Sequence, residues 1–399
     1  MHRKPSNIIY GVDESPPLKT TILLAFQHAV LALVFIVYPL IVVAEAHGTR
    51  QETEGIVSAA ILTMAAGTFL QSLGRKGMGS GYLAVQISSP LYLPVSIIAV
   101  HAGGLELVAG MTVLAGLFTL FFAPFVRYLR PFFPAEVCGV AVLMLGVSLA
   151  GPGAIRFTGL NTSSFPNPVV ISVAFITFSI MVALSIWPKN QLRLYSAVIG
   201  LASGYAAAIG TGLIGAGELK EAIAGGIVAW PVISVTAFRF EWVLLVPFLV
   251  TAMVATLDNM AGLITCQKIN EVDLARPDMT GISRGILADG CSTLCSGLLG
   301  SIGTCISSAH IALSSATGAT SRKVGLWTSA MLLVMIFISP LAKLLSNMPG
   351  PITGAVMIYA SAFLITSGIE LIVSRLLDIR RIFMIGCSVI VGISSIQFT

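Results

Sequence analysis

The 399-residue chain is 56% hydrophobic and only 10% charged, with a mean hydropathy of +0.94. Soluble domains carry about 25% charged residues, so this composition cannot dress a water-facing surface, and a soluble enzyme or binding module is excluded. The net charge of +5 calls for no nucleic acid, because the basic residues are spread over short loops and not gathered in a patch.

In chain order, apolar stretches near the ~20 residues a spanning helix needs are predicted at 22–45, 56–73, 81–100, 103–126, 136–151, 168–187, 195–215, 242–265, 285–300, 303–317, 324–342, 351–372 and 382–398. The first 19 residues are polar and the first apolar run is already of spanning length, so it reads as a retained helix and not as a cleaved signal. Alternate connections hold 17 and 5 of the Lys and Arg residues; the rich side includes Lys19, Arg75, Lys76, Arg127, Arg130, Lys189, Arg193, Arg276, Arg284, Arg322 and Arg381. The positive-inside rule then puts the N-terminus in the cytoplasm of a multi-pass protein of the cell (inner) membrane. Between 215 and 242 a long connection carries Glu218, Lys220, Glu221 and Arg239. The six cysteines fall in or beside apolar segments with no CxxC or zinc-like His spacing, so they read as small core residues.

Helical regularity breaks twice. The stretch from Gly77 to Ser89 runs into Pro90 and Pro94, and Gly300, Gly303, Ser307, Ser308, Thr317 and Gly318 crowd the tenth segment. Irregular backbone survives in lipid only where protein covers it or where it lines a wet cavity, so both breaks point to a binding site. Ile87-Ser88-Ser89 in the first and Ile306-Ser307-Ser308 in the second lie about 220 residues apart. That separation corresponds to an odd number of spans, seven, which inverts the second copy, the usual design of a secondary transporter.

Few ionisable groups sit inside spans, where an Asp costs ~2.5 to 3.5 kcal/mol on insertion scales. His28, Asp258, Asp289 and His310 lie well inside, whereas Glu45, Glu106, Glu136 and Glu370 lie nearer the ends. Asp258, mid-helix in Thr256-Leu257-Asp258-Asn259-Met260, reads as a substrate-binding carboxylate or proton carrier, against the plainer reading of a bond to a neighbouring helix. His28 follows Gln27, and the pair could bond a ligand or relay a proton, or form a satisfied core histidine. His310 stands in the second broken segment, where its ring could line the cavity. Asp289 lies close enough to the end of its helix to suggest capping or helix packing. No P-loop or Gly-x-Ser-x-Gly elbow is present, so the chain is not read as an enzyme, no cofactor or metal is expected, and transport would run on an ion or solute gradient or be facilitated.

Several runs together resemble the nucleobase/ascorbate transporter family (nucleobase:cation symporter 2), over about residues 16–381. They are Gln27-His28, Gly79-Ser80-Gly81-Tyr82-Leu83, Phe132-Phe133-Pro134-Ala135-Glu136, Thr265-Cys266-Gln267-Lys268-Ile269-Asn270, Arg276-Pro277-Asp278-Met279, Gly285-Ile286-Leu287-Ala288-Asp289-Gly290 and Ala316-Thr317-Gly318-Ala319-Thr320-Ser321-Arg322. The resemblance implies an all-α membrane fold of two inverted sevens, with short strands in broken segments 3 and 10. It implies a core domain from 1–126 and 242–345, and a gate domain from 127–241 and 346–399 that moves against it as a rigid body. It implies a purine or pyrimidine base (xanthine or uracil type) as substrate, a proton as partner, surrounding membrane lipid and a homodimer. The base would bond Asp258, His28 and the extended segments at Gln86, Ile87, Ser88, Ser308, Ala309 and His310, with Asp258 and His28 also coupling the proton.

Departures from the family pattern accompany the matches. Ala309 stands at the signature's Gln/Glu position, His310 at its Asn and Ala312 at its Gly, and Gly262 replaces a polar residue one turn after the eighth-segment carboxylate. The chain ends at Thr399, in or just after the thirteenth segment, so the fourteenth is expected to be missing. Two other readings stay open: a sulfate- or bicarbonate-type anion carrier of the same architecture, using the half-helix N-termini, and a non-transporting receptor or channel subunit.

Overall fold

The computed structural model describes residues 5, 8–74, 77–126, 135–160, 165–186, 195–215, 230–232, 237–271, 276–337, 348–373 and 378–397. Phe132, Phe133 and Pro134 of the quoted motifs, with Glu218, Lys220 and Glu221 and the basic residues Arg75, Lys76, Arg127, Arg130, Lys189 and Arg193, lie outside them.

Among the described residues, seven helical stretches are long and apolar enough to cross a bilayer, and the chain is a multi-pass membrane protein. The chain falls into two compact units. Unit 1 comprises 1–127 with 221–347, and unit 2 comprises 128–220 with 348–399.

Unit 1 begins with α1 (Leu18–Leu33) and α2 (Val37–Glu45), joined by a 3-10 turn. α3 (Arg50–Leu73) starts at a capping box, in which the Thr49 hydroxyl accepts from Glu52 N–H while the Glu52 carboxylate accepts from Thr49 N–H. Strand β1 (Gln86–Ser88) leads through a 3-10 turn at Pro90–Tyr92 into α4 (Leu93–Phe122). The helix is broken at Gly103 and Gly104, both non-helical, with Gly104 at φ +72°. Leu93–Phe122 is therefore two helices meeting at a kink close to the predicted boundary between 81–100 and 103–126, and the first of those segments is helical only from Leu93. The second half of unit 1 holds α8 (Trp242–Asn270), α9 (Met279–Leu298), strand β2 (Thr304–Ile306), α10 (Ser308–Thr317) and α11 (Arg322–Met335). α9 packs on α4 and α3, and α11 packs on α3 and α1.

Residues 237–241 depart from the expected grouping of 127–241. Arg239 N–H donates to the Glu106 carbonyl at 3.1 Å, and its backbone lies directly over Gly110, which has no side chain to hold it off. These residues therefore belong with α4 in unit 1.

Unit 2 contains α5 (Ala135–Thr158), α6 (Pro168–Ile186), α7 (Ser196–Gly210), α12 (Gly350–Val373) and α13 (Ile379–Gln397). Its main seam joins α5 to α12 through small residues at seven-residue intervals, Gly139, Gly146 and Gly153 on α5 and Gly354, Ser361 and Gly368 on α12. A Cβ at Gly139 would stand 2.7 Å from the Gly368 carbonyl oxygen, and the Ser361 hydroxyl donates to the Gly146 carbonyl at 2.7 Å. Close backbone approach and hydroxyl bonds of this kind hold helices together where lipid supplies no hydrophobic drive. Arg381 of α13 pairs with the buried Glu136 at 2.9 Å. Of the cysteines, Cys266 and Cys305 are buried as small core residues, but Cys295 and Cys387 are exposed on the outer surface.

Candidate functional site in unit 1

The two broken segments meet. β1 and β2 form an antiparallel pair in the register Gln86 with Ile306, Ile87 with Cys305 and Ser88 with Thr304. Antiparallel pairing is what two inverted copies require, since inversion reverses the chain direction of the second. Two further bonds extend the ribbon, from Ser89 N–H to the Gly303 carbonyl at 2.9 Å and from Ser307 N–H to the Val85 carbonyl at 3.0 Å. The strands approach closely at Gly303, where a Cβ would stand 2.6 Å from the ring of Tyr92.

A two-stranded ribbon leaves its outer amides without partners, which lipid would not tolerate. Side chains from three helices supply them. Gln86 N–H donates to Thr68 Oγ1 of α3 at 3.0 Å, Thr304 N–H to Thr293 Oγ1 of α9 at 3.2 Å, and Ile306 N–H to Asn259 Oδ1 of α8 at 2.7 Å. All three acceptor residues are fully buried. At the end of each strand a helical stretch begins, at Ser89 after β1 and at Ser307 after β2. The positive ends of two short helix dipoles thus open beside the ribbon.

Asp258 precedes the anchoring Asn259 on α8. It is half-buried and makes no hydrogen bond or ion pair with any described residue. On α10, Ser308 and Ala312 are exposed and Ala309 is half-buried. Gly262, one turn beyond Asp258, faces α10: a Cβ there would stand 3.3 Å from Ile311 Cδ1, so the absence of a polar side chain lets the two helices touch.

His310 lies on the opposite side of α10 from Ser308 and Ala312. Its ring is fully buried and stacks on His28 of α1, with centroids 5.4 Å apart and planes at 23°. Its Nε2–H donates to the His28 carbonyl at 3.0 Å, which leaves Nδ1 without the proton. Both His28 ring nitrogens are buried without a hydrogen-bond partner. The ring therefore meets helix α1 and not an open face.

Asp289 is not a cap. It sits mid-way along α9, 2% exposed, whereas the N-cap is Asp278, whose carboxylate accepts from Thr280 and Gly281 N–H at 3.0 Å each. The Asp289 carboxyl faces the side chains of Gln86 and Asn259 behind the ribbon. Gln86, Ile87 and Ser88 are all buried in the strand pair, next to the first turn of α10. The sequence reading missed Thr68, Thr293 and Asn259. Their signal is a buried polar stripe in an apolar helix, clearest on α9, where Asp289, Ser292, Thr293 and Ser296 share one face.

The Permease family model of the xanthine/uracil type matches residues 19–399. The chain is 24% identical over 407 residues to the xanthine permease XanP of Escherichia coli, covering 98% of this chain and 88% of that one. It is 25% identical over 382 residues to the uric acid permease PucJ of Bacillus subtilis, covering 93% and 84%. Among solved structures, the transmembrane domain of the cyanobacterial bicarbonate transporter BicA matches with a TM-score of 0.68 at 16% identity, over 98% of this chain and 99% of that one. At that identity the likeness establishes the fold.

Proposed function

Because this chain belongs to the xanthine/uracil Permease family, we propose that it carries a purine or pyrimidine base across the cell membrane, coupled to protons. The single observation that carries the reading is Asp258, a half-buried carboxylate with no partner among the described residues, next to the residue that anchors the ribbon. A nucleobase edge places N–H donors and carbonyl acceptors side by side. A carboxylate reads the donors, and backbone groups near Gln86, Ile87, Ser88, Ser308 and Ala309 read the rest. His28 of α1, buried and stacked on His310, is the second titratable group of this reading. Asp258 and His28 are the groups in this set that can carry a proton.

The reading includes a cytoplasmic N-terminus in an inner membrane, supported by the 17-to-5 division of basic residues, and the homodimer expected of the family. The experiment is uptake of radiolabelled xanthine, urate, uracil, hypoxanthine, sulfate and bicarbonate into cells expressing the protein. Saturable uptake of a base alone supports the proposal. Uptake of sulfate or bicarbonate alone overturns it in favour of the anion-carrier reading. Against that second reading stands Asp258, whose charge would repel an anion at the dipole ends.

A further inference from the structure

A second cavity of unit 1 has no part in the proposed transport site. Its volume is about 450 Å³, and it lies where the N-terminal segment, the approach to β1 and the ends of α8, α9 and α11 meet. Three guanidinium groups from three separate stretches reach it: Arg276 ahead of α9, Arg284 in its second turn and Arg322 at the start of α11. Arg276 and Arg322 stand in runs quoted above, and base transport gives none of the three a role.

The acidic residues at the cavity are largely engaged. Asp13 pairs with Arg322 at 2.6 Å. Asp278 spends both carboxylate oxygens on capping α9. Glu271 also lines the wall. Arg284 and Arg276, by contrast, form no ion pair with any described residue, and Arg284 Nε is buried with no hydrogen-bond partner. A buried guanidinium nitrogen left unpaired costs desolvation without return, and its fork of donors matches the oxygens of a phosphate. The hydroxyls of Ser80 and Tyr82 add donors on the facing wall. A neutral planar base could not satisfy these charges. The volume falls in the range of small-molecule sites, ~300 to 1,000 Å³, and leaves room for an organic portion beyond the phosphate.

We propose that this cavity binds a phosphate ester, with Arg284 and Arg276 holding the phosphate and the Asp13–Arg322 pair walling it in. The ester is either a soluble phosphomonoester or a phospholipid headgroup; the phosphate chemistry is common to both. The ligand would touch Ser80 and Tyr82 on the stretch that leads directly into β1, so its occupancy would bear on the position of the ribbon.

The test uses the purified full chain in uncharged detergent with radiolabelled inorganic phosphate and equilibrium dialysis. One saturable equivalent per chain is expected, undisturbed by equal chloride. Arg284→Gln should weaken it about tenfold or more, since loss of a charged hydrogen-bond partner is worth at least that factor. The exposed Arg276→Gln, which disturbs no packing, should also weaken it, and Asp258→Asn should leave it unchanged. Displacement by glycerol 3-phosphate would assign a soluble ester. Loss of phosphate binding in nanodiscs containing phosphatidylglycerol, but not in phosphatidylcholine alone, would assign a lipid headgroup. Absence of saturable binding, binding indifferent to both arginine substitutions, or displacement by neither ester would overturn the proposal. Failure of base uptake with phosphate binding intact would count against the transport reading alone.

Discussion

Thr68→Val tests whether the ribbon positions the site. Thr68 is fully buried, and its hydroxyl oxygen accepts from Gln86 N–H at 3.0 Å. Valine keeps the shape and removes the acceptor, so one strand amide is left unpaired in the interior at a cost of ~1 to 3 kcal/mol. If that cost falls on the bound state, base affinity drops roughly 5- to 150-fold, at 1.4 kcal/mol per factor of ten. Thr68→Ser keeps the oxygen and deletes one methyl group, worth ~0.8 kcal/mol of packing, which should lower the melting temperature more than it alters affinity. The assay is initial-rate uptake against concentration of the best-transported base, with membrane abundance measured in parallel and melting of the purified protein in detergent. The reasoning fails if valine retains the wild-type KM, or if serine raises KM more than valine does.

Asp258→Asn should abolish accumulation while the protein remains in the membrane, because an amide presents one acceptor where a carboxylate presents two and cannot carry a proton; normal uptake would remove Asp258 from the site. Collapsing the proton gradient should stop accumulation and replacing sodium should not, so a sodium requirement alone would identify the wrong coupling ion. His310→Ala removes the donor to the His28 carbonyl and the ring stacked on His28, and should weaken base affinity by ~1 to 3 kcal/mol, whereas His310→Asn, which can still donate, should retain more transport. Equal and undiminished uptake by both would make His310 a packing residue only. Gly303→Ala should lower the melting temperature by forcing a Cβ against Tyr92, at ~1 to 3 kcal/mol of overpacking, and Tyr92→Leu in the same chain should recover part of that loss.

The breaks at Pro90 and Gly303 were legible in the sequence because lipid makes irregular backbone costly and therefore rare. The inverted relation of the two breaks was legible too, from the similar Ile-Ser-Ser runs and the odd number of spans between them, but not that they pair directly as antiparallel strands. Asp258 stood out by cost alone. The direction of His310 did not, because a motif position fixes a residue's place in the chain but not its azimuth. At 100° per residue on a helix, His310 points about 200° away from Ser308, onto α1. Asn259 was overshadowed by the carboxylate beside it, since an amide's role as anchor depends on which strand amide lies within reach. Asp289 reads as a cap or a helix-packing residue because its helix is predicted to start at 285; the observed start at Met279 moves it to the middle and rules out the cap. The attachment of 237–241 to α4 rests on a backbone bond and a missing side chain at Gly110, neither of which leaves a pattern in hydropathy.

If the chain carries a base as proposed, the departure at Ala309 changes how that base would be recognised. A Gln or Glu at that position would offer a side-chain acceptor from the second strand's helix, and His310 cannot replace it while its Nε2–H is committed to the His28 carbonyl. Along the strands the backbone can supply only part of the difference, because the outer amides of Gln86, Thr304 and Ile306 are already bound to Thr68, Thr293 and Asn259. Recognition then concentrates on Asp258 and on the helix starts after Ser89 and Ser307. A carboxylate without a protein partner has to be matched by donors on the ligand, at ~1 to 3 kcal/mol for each polar group left unpaired in a dry site. A base edge with N–H donors meets that requirement, whereas a sulfate or bicarbonate brings a second negative charge to the same place. On the proposed reading, the lack of a side-chain acceptor at Ala309 would throw the selectivity of the site onto a single carboxylate, and with it the dependence of binding on whether that carboxylate holds a proton.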